Sequence, residues 1–335
     1  MVTLKDVARR AGVSRSAVSR TFTEGASVSK KMRLKVEKAA NELGYSPNFI
    51  ARGLTTRRTK LIGLVADNFH NPVFLQIFDL FTRGLQDRGL RPLLVNLSGE
   101  TSPKYSVQML KQYSVDGVII ASSTLPPSFA HAFRQAAVPV VHSFGRCTNN
   151  PEVHIVGIDN QSCGRMAAKT LIARGYSSVG FLGGPATATS TQDRHAGFAA
   201  EMAKHPEIPC HISFSKAYTF AAGFEKMSQL LQQEHAEAYF CGDDVLSIGA
   251  ISAITTAGLS VPGDIGIIGL NDMEIAGWQN INLTTIQQPV EQIIILSVKL
   301  IVDILQNPNQ APENFLFQCQ IIERDTLKPV PLKKT

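Results

Sequence analysis

The chain has 335 residues, more than one ordinary core holds, and is 44% hydrophobic and 18% charged, a composition that excludes a disordered protein. No run approaches the ~20 consecutive apolar residues of a membrane helix. The N-terminus, Met1-Val2-Thr3-Leu4-Lys5-Asp6, reaches an acidic residue before any apolar signal core forms, so a cytoplasmic location away from membranes is expected. Net charge is +6 but unevenly spread: residues 1–60 hold 14 Lys and Arg against 4 Asp and Glu, and the remainder 19 against 23. A basic head on a mildly acidic body points to a polyanion that meets the head alone. The five cysteines (Cys147, Cys163, Cys210, Cys241, Cys319) are odd in number and lack metal spacing, so they read as reduced thiols, with no metal and no cofactor expected.

In chain order, Leu4, Val7, Ala8 and Ala11 have the spacing of one short helix, with Thr3 as N-cap and Asp6 near its positive end. Gly12-Val13-Ser14 breaks the pattern, and Ser14 can cap a second helix over Arg15 to Phe22 that buries Ala17, Val18 and Thr21. Its other face carries Arg15, Ser16, Ser19 and Arg20. A third helix begins at Ser29, with Val36, Ala39, Ala40 and Leu43 inward, and stops at Gly44. Two short helices joined by a glycine turn form a helix-turn-helix unit, whose second helix enters the DNA major groove. There Arg15 and Arg20 can grip guanine or clamp phosphate, Ser16 can meet either base type, and Ser14, Ser19 and Ser29 can bond phosphates. Thr3 and Asn48 complete this DNA-binding set.

Tyr45-Ser46-Pro47-Asn48 reads as a turn, followed by a helical turn or two over Phe49–Leu54 and a basic linker to Lys60. So short a helix is marginal alone in water and can order when DNA or a second copy packs on it. The segments Leu4-x-Asp6-Val7-Ala8-x-x-Ala11-Gly12-Val13-Ser14, Val18-Ser19-Arg20, Tyr45-x-Pro47-Asn48-x-x-Ala51-Arg52-x-Leu54 and Ile62-Gly63 resemble the N-terminus of the LacI/GalR family of bacterial repressors. That resemblance implies that Arg15, Ser16 and Arg20 read bases. It also implies that Ala51 and Leu54 belong to a hinge helix paired with its dimer mate in the minor groove, with Leu54 as the wedge.

From Leu61 short apolar runs alternate with amphipathic helices: Leu61–Ala66, Pro92–Asn96, Val115–Ala121, Val138–Ser143, Val153–Ile158, Val179–Gly183, Ala238–Cys241 and Ile265–Leu270. This alternation implies parallel sheets covered by helices. Neither Gly-x-Gly-x-x-Gly nor a phosphate-loop Gly-Lys-Ser/Thr occurs. The body resembles the family's sensor, similar to a periplasmic sugar-binding protein, through Asn71-Pro72-x-Phe74, Asp159-Asn160, Arg194-x-x-Gly197-Phe198 and Leu283-Thr284-Thr285-Ile286 among other segments, to about residue 325. The expected fold is therefore an all-α helix-turn-helix domain (1–46), a hinge (47–60), and an α/β periplasmic-binding-protein-like domain (61–335) of two parallel-sheet lobes. The N-lobe spans about 61–158 plus 288–317 and the C-lobe about 159–287 plus 318–327. Three crossovers are expected, near 158–161, 285–290 and 317–320.

Open parallel sheets bind ligands at the carboxyl ends of their strands, so residues just past strands are the effector candidates. Arg194 offers a fixed fork for adjacent hydroxyls or a carboxylate, and Asp243 and Asn271 can accept from sugar hydroxyls. Tyr218 resembles the family's aromatic wall. Phe69, Asn71, Phe74 and Phe144 can complete the pocket from the N-lobe, while Phe69 and Phe74 can equally serve the core or a dimer interface. Of Asp243 and Asp244, one is expected to cap the following helix, with Asp244 the favoured choice. Asn271 reads either as a turn residue or as a ligand contact. Many relatives have Asp at Asn271 and Asp or Asn at Phe144, so this pocket is less polar on one side. Cys163 replaces the first of a common glycine pair, and Ile294 a usually small residue.

The resulting expectation is a regulator, not an enzyme: a repressor that binds a palindromic double-stranded DNA operator as a homodimer and is switched by a small sugar-like effector. A transporter's solute-binding protein could share the sensor fold, but neither a basic head nor the missing leader suits it.

Overall fold

The computed structural model describes residues 2–23, 25–46, 58–97 and 102–331. Its contacts divide the chain into residues 1–60 and 61–335.

In the first unit, the described residues form α1 (Leu4–Ala11), α2 (Arg15–Thr21) and α3 (Lys30–Leu43). Each helix begins where a side chain can satisfy otherwise free backbone N–H groups. Thr3 and Asp6 cap α1 reciprocally, Ser14 Oγ accepts from the Ala17 N–H at 3.2 Å, and Ser29 Oγ accepts from the Met32 N–H at 3.3 Å. Gly12 ends α1 with a φ of 60°, a left-handed turn that lets its N–H close back on the Ala8 and Arg9 carbonyls. α2 is one residue shorter than expected, because Phe22 forms its C-cap and packs on Tyr45 with ring centroids 5.9 Å apart. Val7, Ala8, Ala11, Val18, Val36, Ala39 and Ala40 form the core. Arg33 Nη1 donates to the Thr21 carbonyl at 2.9 Å and fastens α3 to the end of α2.

The second unit runs β1 (Leu61–Ala66), α4 (Val73–Gln86), β2 (Arg91–Asn96), α5 (Pro103–Gln112), β3 (Gly117–Ala121), α6 (Pro127–Gln135), β4 (Val140–Ser143), β5 (His154–Ile158), α7 (Asn160–Ala173), β6 (Val179–Gly183), α8 (Thr189–Met202) and β7 (Cys210–Phe214). It continues with α9 (Phe220–Leu230), β8 (Ala238–Cys241), α10 (Asp244–Thr256), β9 (Gly266–Asn271), a 3-10 turn (Glu274–Gly277), β10 (Thr285–Gln287), α11 (Val290–Gln306), β11 (Asn314–Phe317) and β12 (Gln320–Ile322). Among the described residues these strands form two six-stranded sheets, ordered β11-β5-β4-β3-β1-β2 and β12-β10-β9-β8-β6-β7. Every neighbour pair is parallel except β10 with β12. The chain passes between sheets from β5 into α7, from β10 into α11 and from β11 into β12, which matches the expected two-lobed α/β class.

The inner strands β3, β4, β5, β6, β8 and β9 are buried along their whole length, which is why they read as unbroken apolar runs. β7, β11 and β12 were not singled out from the sequence. They are sheet edges with partly exposed side chains, so their composition is mixed.

Two helix pairs in the C-lobe approach until backbone meets backbone. A Cβ on Gly164 in α7 would lie 2.1 Å from the Arg194 carbonyl oxygen in α8, and one on Gly197 would lie 1.9 Å from that of Gln161. α9 and α10 repeat the device at Gly223 and Gly249, where an added Cβ would lie 2.4 Å from Leu246 O and 2.2 Å from Phe220 O. Gly164→Ala or Gly197→Ala should force α7 and α8 apart and cost about 1–3 kcal/mol. Urea denaturation of the full chain checks this, and a midpoint equal to the parent's would refute the close packing.

Candidate functional site

In the head, Arg15, Ser16, Ser19 and Arg20 all lie on the exposed side of α2, while Ala17, Val18 and Thr21 are buried. Ser14 Oγ sits 2.9 Å from Ser16 Oγ, and Arg20 Nε reaches the Ser16 carbonyl at 3.5 Å. Thr3 and Ser29 are exposed at the N-termini of α1 and α3, where backbone N–H groups and the helix dipole favour an anion. The Thr3 hydroxyl donates to Asp6 at 2.6 Å, and this contact holds the Asp6 carboxyl below its ordinary range. Asn48, Ala51 and Leu54 lie outside the described residues. The described part of the unit therefore presents a helix with guanidinium and hydroxyl groups outward, a shape and charge that a major groove accepts.

In the body, strand order reverses between β1 and β3 in one sheet and between β6 and β8 in the other. Loops from these strand ends face each other across a cleft, as the topology requires. The cavity has a volume of about 40 Å³. The cleft brings together Asn71, Phe74 and Phe144 of the N-lobe with Arg194, Tyr218, Asp243 and Asn271 of the C-lobe. Phe69 does not line it. Its ring packs on Phe78 of α4 at 4.8 Å between centroids.

Asp243 occupies the centre. One carboxylate oxygen accepts from the Val245 N–H at 2.8 Å. The other accepts from Asn71 Nδ2 at 3.0 Å, across the cleft, and from Asn271 Nδ2 at 2.8 Å. Burial pushes the Asp243 carboxyl up to about 6, against the opposing pull of the Val245 N–H, Arg194 and the two amides. Asp243, not Asp244, is thus the N-cap of α10. Asp244 is fully buried, accepts from Thr285 Oγ1 at 2.5 Å and from the Met273 N–H at 2.8 Å, and is pushed by burial up to about 7. The expected order of the two roles is reversed because the first carboxylate of the pair sits before the helix and the second already belongs to its first turn.

Arg194 is only 3% exposed. Its Nε donates to Asn160 Oδ1 at 2.8 Å and its Nη1 to the Gly242 carbonyl, which aims the guanidinium from α8 into the cleft. Tyr218 lays its ring on Gly184 and shares a hydrogen bond of 2.6 Å with Thr191 Oγ1. Phe144 holds a φ of 64°, an uncommon conformation for a side-chain-bearing residue, fixed by its N–H bonding to Val156 O at 2.6 Å. Asn271 ends β9 rather than following it, and Gln288 Nε2 donates to its side-chain oxygen.

Several residues of this site escaped the sequence reading. Asp67, Asn68 and Ser122 to Thr124 line the cleft. Each follows an apolar run, so the strand-end rule could have found them. Polar bonds close the lobes further out: the Thr189 and Ser190 N–H groups donate to Thr124 O and Ser123 O at 3.2 and 3.0 Å. Arg146, in the loop after β4, donates to Asp193 Oδ2 and to the Thr189 carbonyl on α8, both at 2.8 Å. His142 is fully buried beside Ser122 O at 3.0 Å and depressed to about 4 by burial, and His154 Nδ1 accepts from the Glu313 N–H at 3.2 Å. Among the described residues no cluster of His, Cys, Asp and Glu could hold a metal ion, and no helix is long and apolar enough to cross a membrane.

The raised Asp244 makes a signed prediction. A carboxyl whose folded value lies above its unfolded one contributes stability at low pH that is lost as pH rises through the folded value, here about 7. Asp244→Asn abolishes that titration. The melting temperature of the variant minus that of the parent should therefore grow in the variant's favour between about pH 5 and about pH 8 in differential scanning fluorimetry. A difference that stays constant would show that Asp244 is not held protonated by its surroundings.

The comparisons with known proteins agree with this geometry. Residues 3–48 match the family model "Bacterial regulatory proteins, lacI family", and residues 168–327 match "Periplasmic binding protein-like domain". The chain is 31% identical to the HTH-type transcriptional repressor PurR of Proteus mirabilis (strain HI4320) over 339 residues, covering 99% of this chain and 98% of that protein. It is 30% identical to the ribose operon repressor of Escherichia coli (strain K12) over 328 residues, covering 97% and 99%. Its fold matches the crystal structure of the Lac repressor dimer bound to operator and an anti-inducer with a TM-score of 0.86 at 27% identity, covering 97% of this chain and 98% of that one. The chain belongs to the lacI family of bacterial regulatory proteins and is a transcriptional repressor with a helix-turn-helix head and a ligand-binding body.

Proposed function

We propose that the chain binds a palindromic operator as a homodimer, and that a sugar or sugar derivative in the cleft sets its affinity for DNA. Residues 1–46 act as the DNA-binding domain, 47–60 as the hinge, and 61–335 as the sensor and dimerisation domain. Arg15, Ser16 and Arg20 read base edges; Thr3, Ser14, Ser19, Ser29 and Asn48 meet the backbone; Ala51 and Leu54 enter the minor groove. The observation that carries the effector reading is the buried Asp243 carboxylate, which accepts one amide from each lobe while Arg194 stands beside it. A ligand hydroxyl at Asp243 takes the place of Asn71, so binding is coupled to the lobe angle, and only a ligand that favours one angle can shift the DNA-binding equilibrium. The ribose operon repressor among the relatives supports the sugar class, and the operator-bound Lac repressor dimer supports the assembly.

Selection from sheared DNA of the source genome, at near-physiological salt, tests the DNA reading. It should retain fragments that share a palindrome, whereas retention without one would overturn specific binding. Arg20→Ala should weaken binding to the selected site by about 1–3 kcal/mol, roughly ten- to a hundredfold, in fluorescence anisotropy. Arg194→Ala should bind the same site normally yet lose the response to whichever of a panel of pentoses, hexoses and their phosphates shifts the parent. A preserved response would move the effector site out of the cleft, and a parent that responds to purine bases instead would replace the sugar class.

A further inference from the structure

Asp67 follows β1 and Thr124 lies in the loop after β3, so the two stand at the strand ends where the N-lobe sheet reverses its order. Both line the cleft. The Thr124 hydroxyl donates to Asp67 Oδ2, and Ser122 Oγ lies 3.1 Å from Thr124 Oγ1 and accepts from the Thr124 N–H at 3.2 Å. One edge of the carboxylate is thereby fixed to the loop whose Ser123 and Thr124 carbonyls meet α8 of the other lobe. The second oxygen, Oδ1, is buried and has no hydrogen-bond partner among the described residues. Of the buried side-chain oxygens and nitrogens in that state, it is the one that belongs to a residue of the cleft. A buried acceptor without a donor costs free energy that a donated hydrogen recovers. We propose that Asp67 is an effector contact: its Oδ1 accepts a hydroxyl hydrogen of an uncharged sugar, and its charge keeps phosphorylated and acidic sugars out of the cleft. This inference rests on the sugar reading of the cleft and names which sugars fit it.

The charge balance of the cleft carries the second half. Among its lining residues Asp67 and Asp243 are acidic and Arg194 is the one base. Arg194 donates from Nε to Asn160 and from Nη1 to the Gly242 carbonyl, which leaves only part of its fork for a ligand. Asp243 has donors of its own in the Val245 N–H, Asn71 and Asn271, whereas Asp67 has a donor on Oδ2 alone. One guanidinium does not offset two carboxylates. A phosphate or carboxylate group in the cleft would therefore meet an excess of like charge, in a site where little water screens it. A hydroxyl carries no such penalty, because it donates to Oδ1 without adding charge.

Isothermal titration calorimetry of the full chain, with neutral pentoses and hexoses and with their phosphate esters, tests this. A neutral sugar should bind, and more tightly than its phosphate ester by about tenfold or more. Asp67→Ala should weaken that sugar by about ten- to a hundredfold. The isosteric Asp67→Asn should narrow the preference over the phosphate ester. Monodeoxy forms of the same sugar separate contact from support. One of them should bind the parent about as weakly as the complete sugar binds Asp67→Ala, and that variant should no longer distinguish the two, a coupling that a merely structural role would not produce. A parent that binds no neutral sugar, or binds a phosphate ester as tightly, would overturn the exclusion of anions. Undiminished affinity in Asp67→Ala with binding lost in Arg194→Ala would overturn the role of Asp67 and leave the cleft reading standing. Binding retained in both variants would overturn the two together.

Discussion

A carboxylate buried between two lobes has to be satisfied by groups that those lobes supply. Asp243 meets this constraint with the Val245 N–H and Asn271 from its own lobe and Asn71 from the other. Its displacement from water is costly, and burial pushes its ionisation up against the pull of these bonds. Of its three bonds only the one from Asn71 comes from the other lobe, so that bond depends on how the lobes meet. Arg146 with Asp193, and the backbone pairs of Ser123 and Thr124 with Ser190 and Thr189, follow the same polar logic further out. Lobe contacts built from hydrogen bonds can be exchanged for water at small net cost, which a continuous apolar seam would not allow.

The supports of this cleft are tightly packed. Arg194 sits on α8, whose carbonyl at that residue touches α7 at Gly164, so the guanidinium is held by backbone-to-backbone packing and by its own bonds to Asn160 and Gly242. In the head, three small caps at Thr3, Ser14 and Ser29 and a core of short side chains orient α2, and leave its polar face free of structural duty. Both sites place their reactive groups on elements fixed by neighbours that have no reason to move.

Much of this was legible in the sequence because the physics is local. The caps, the Gly12 turn and the buried faces of α1 and α3 follow from residue type and spacing, and the inner strands from unbroken apolar runs. Seven of the eight proposed cleft residues do line the cleft, since strand ends are countable from such runs. What failed was direction at the level of one side chain. Phe69 and Phe74 occupy the same loop and helix start and both pack on Phe78, yet of the two Phe74 lines the cleft. Asp243 and Asp244 are adjacent and alike, and only the place where α10 begins and the hydroxyl of Thr285 separate their roles. Edge strands and the Arg146 bridge depend on partners far along the chain, which no local pattern records.

The interleaving of the lobes has a consequence for synthesis. The N-lobe sheet needs β11 beside β5, and α11 packs on β3, β4 and β5, yet both are made after the entire C-lobe helical layer. The emerging chain must hold an incomplete first lobe, with its hydrophobic sheet face uncovered, until residues 290–317 leave the ribosome. The head, complete by residue 46 and closed on its own core, has no such wait. A chain cut short anywhere in the C-lobe would thus carry a folded head on an unfinished body with apolar surface uncovered, a product prone to aggregation.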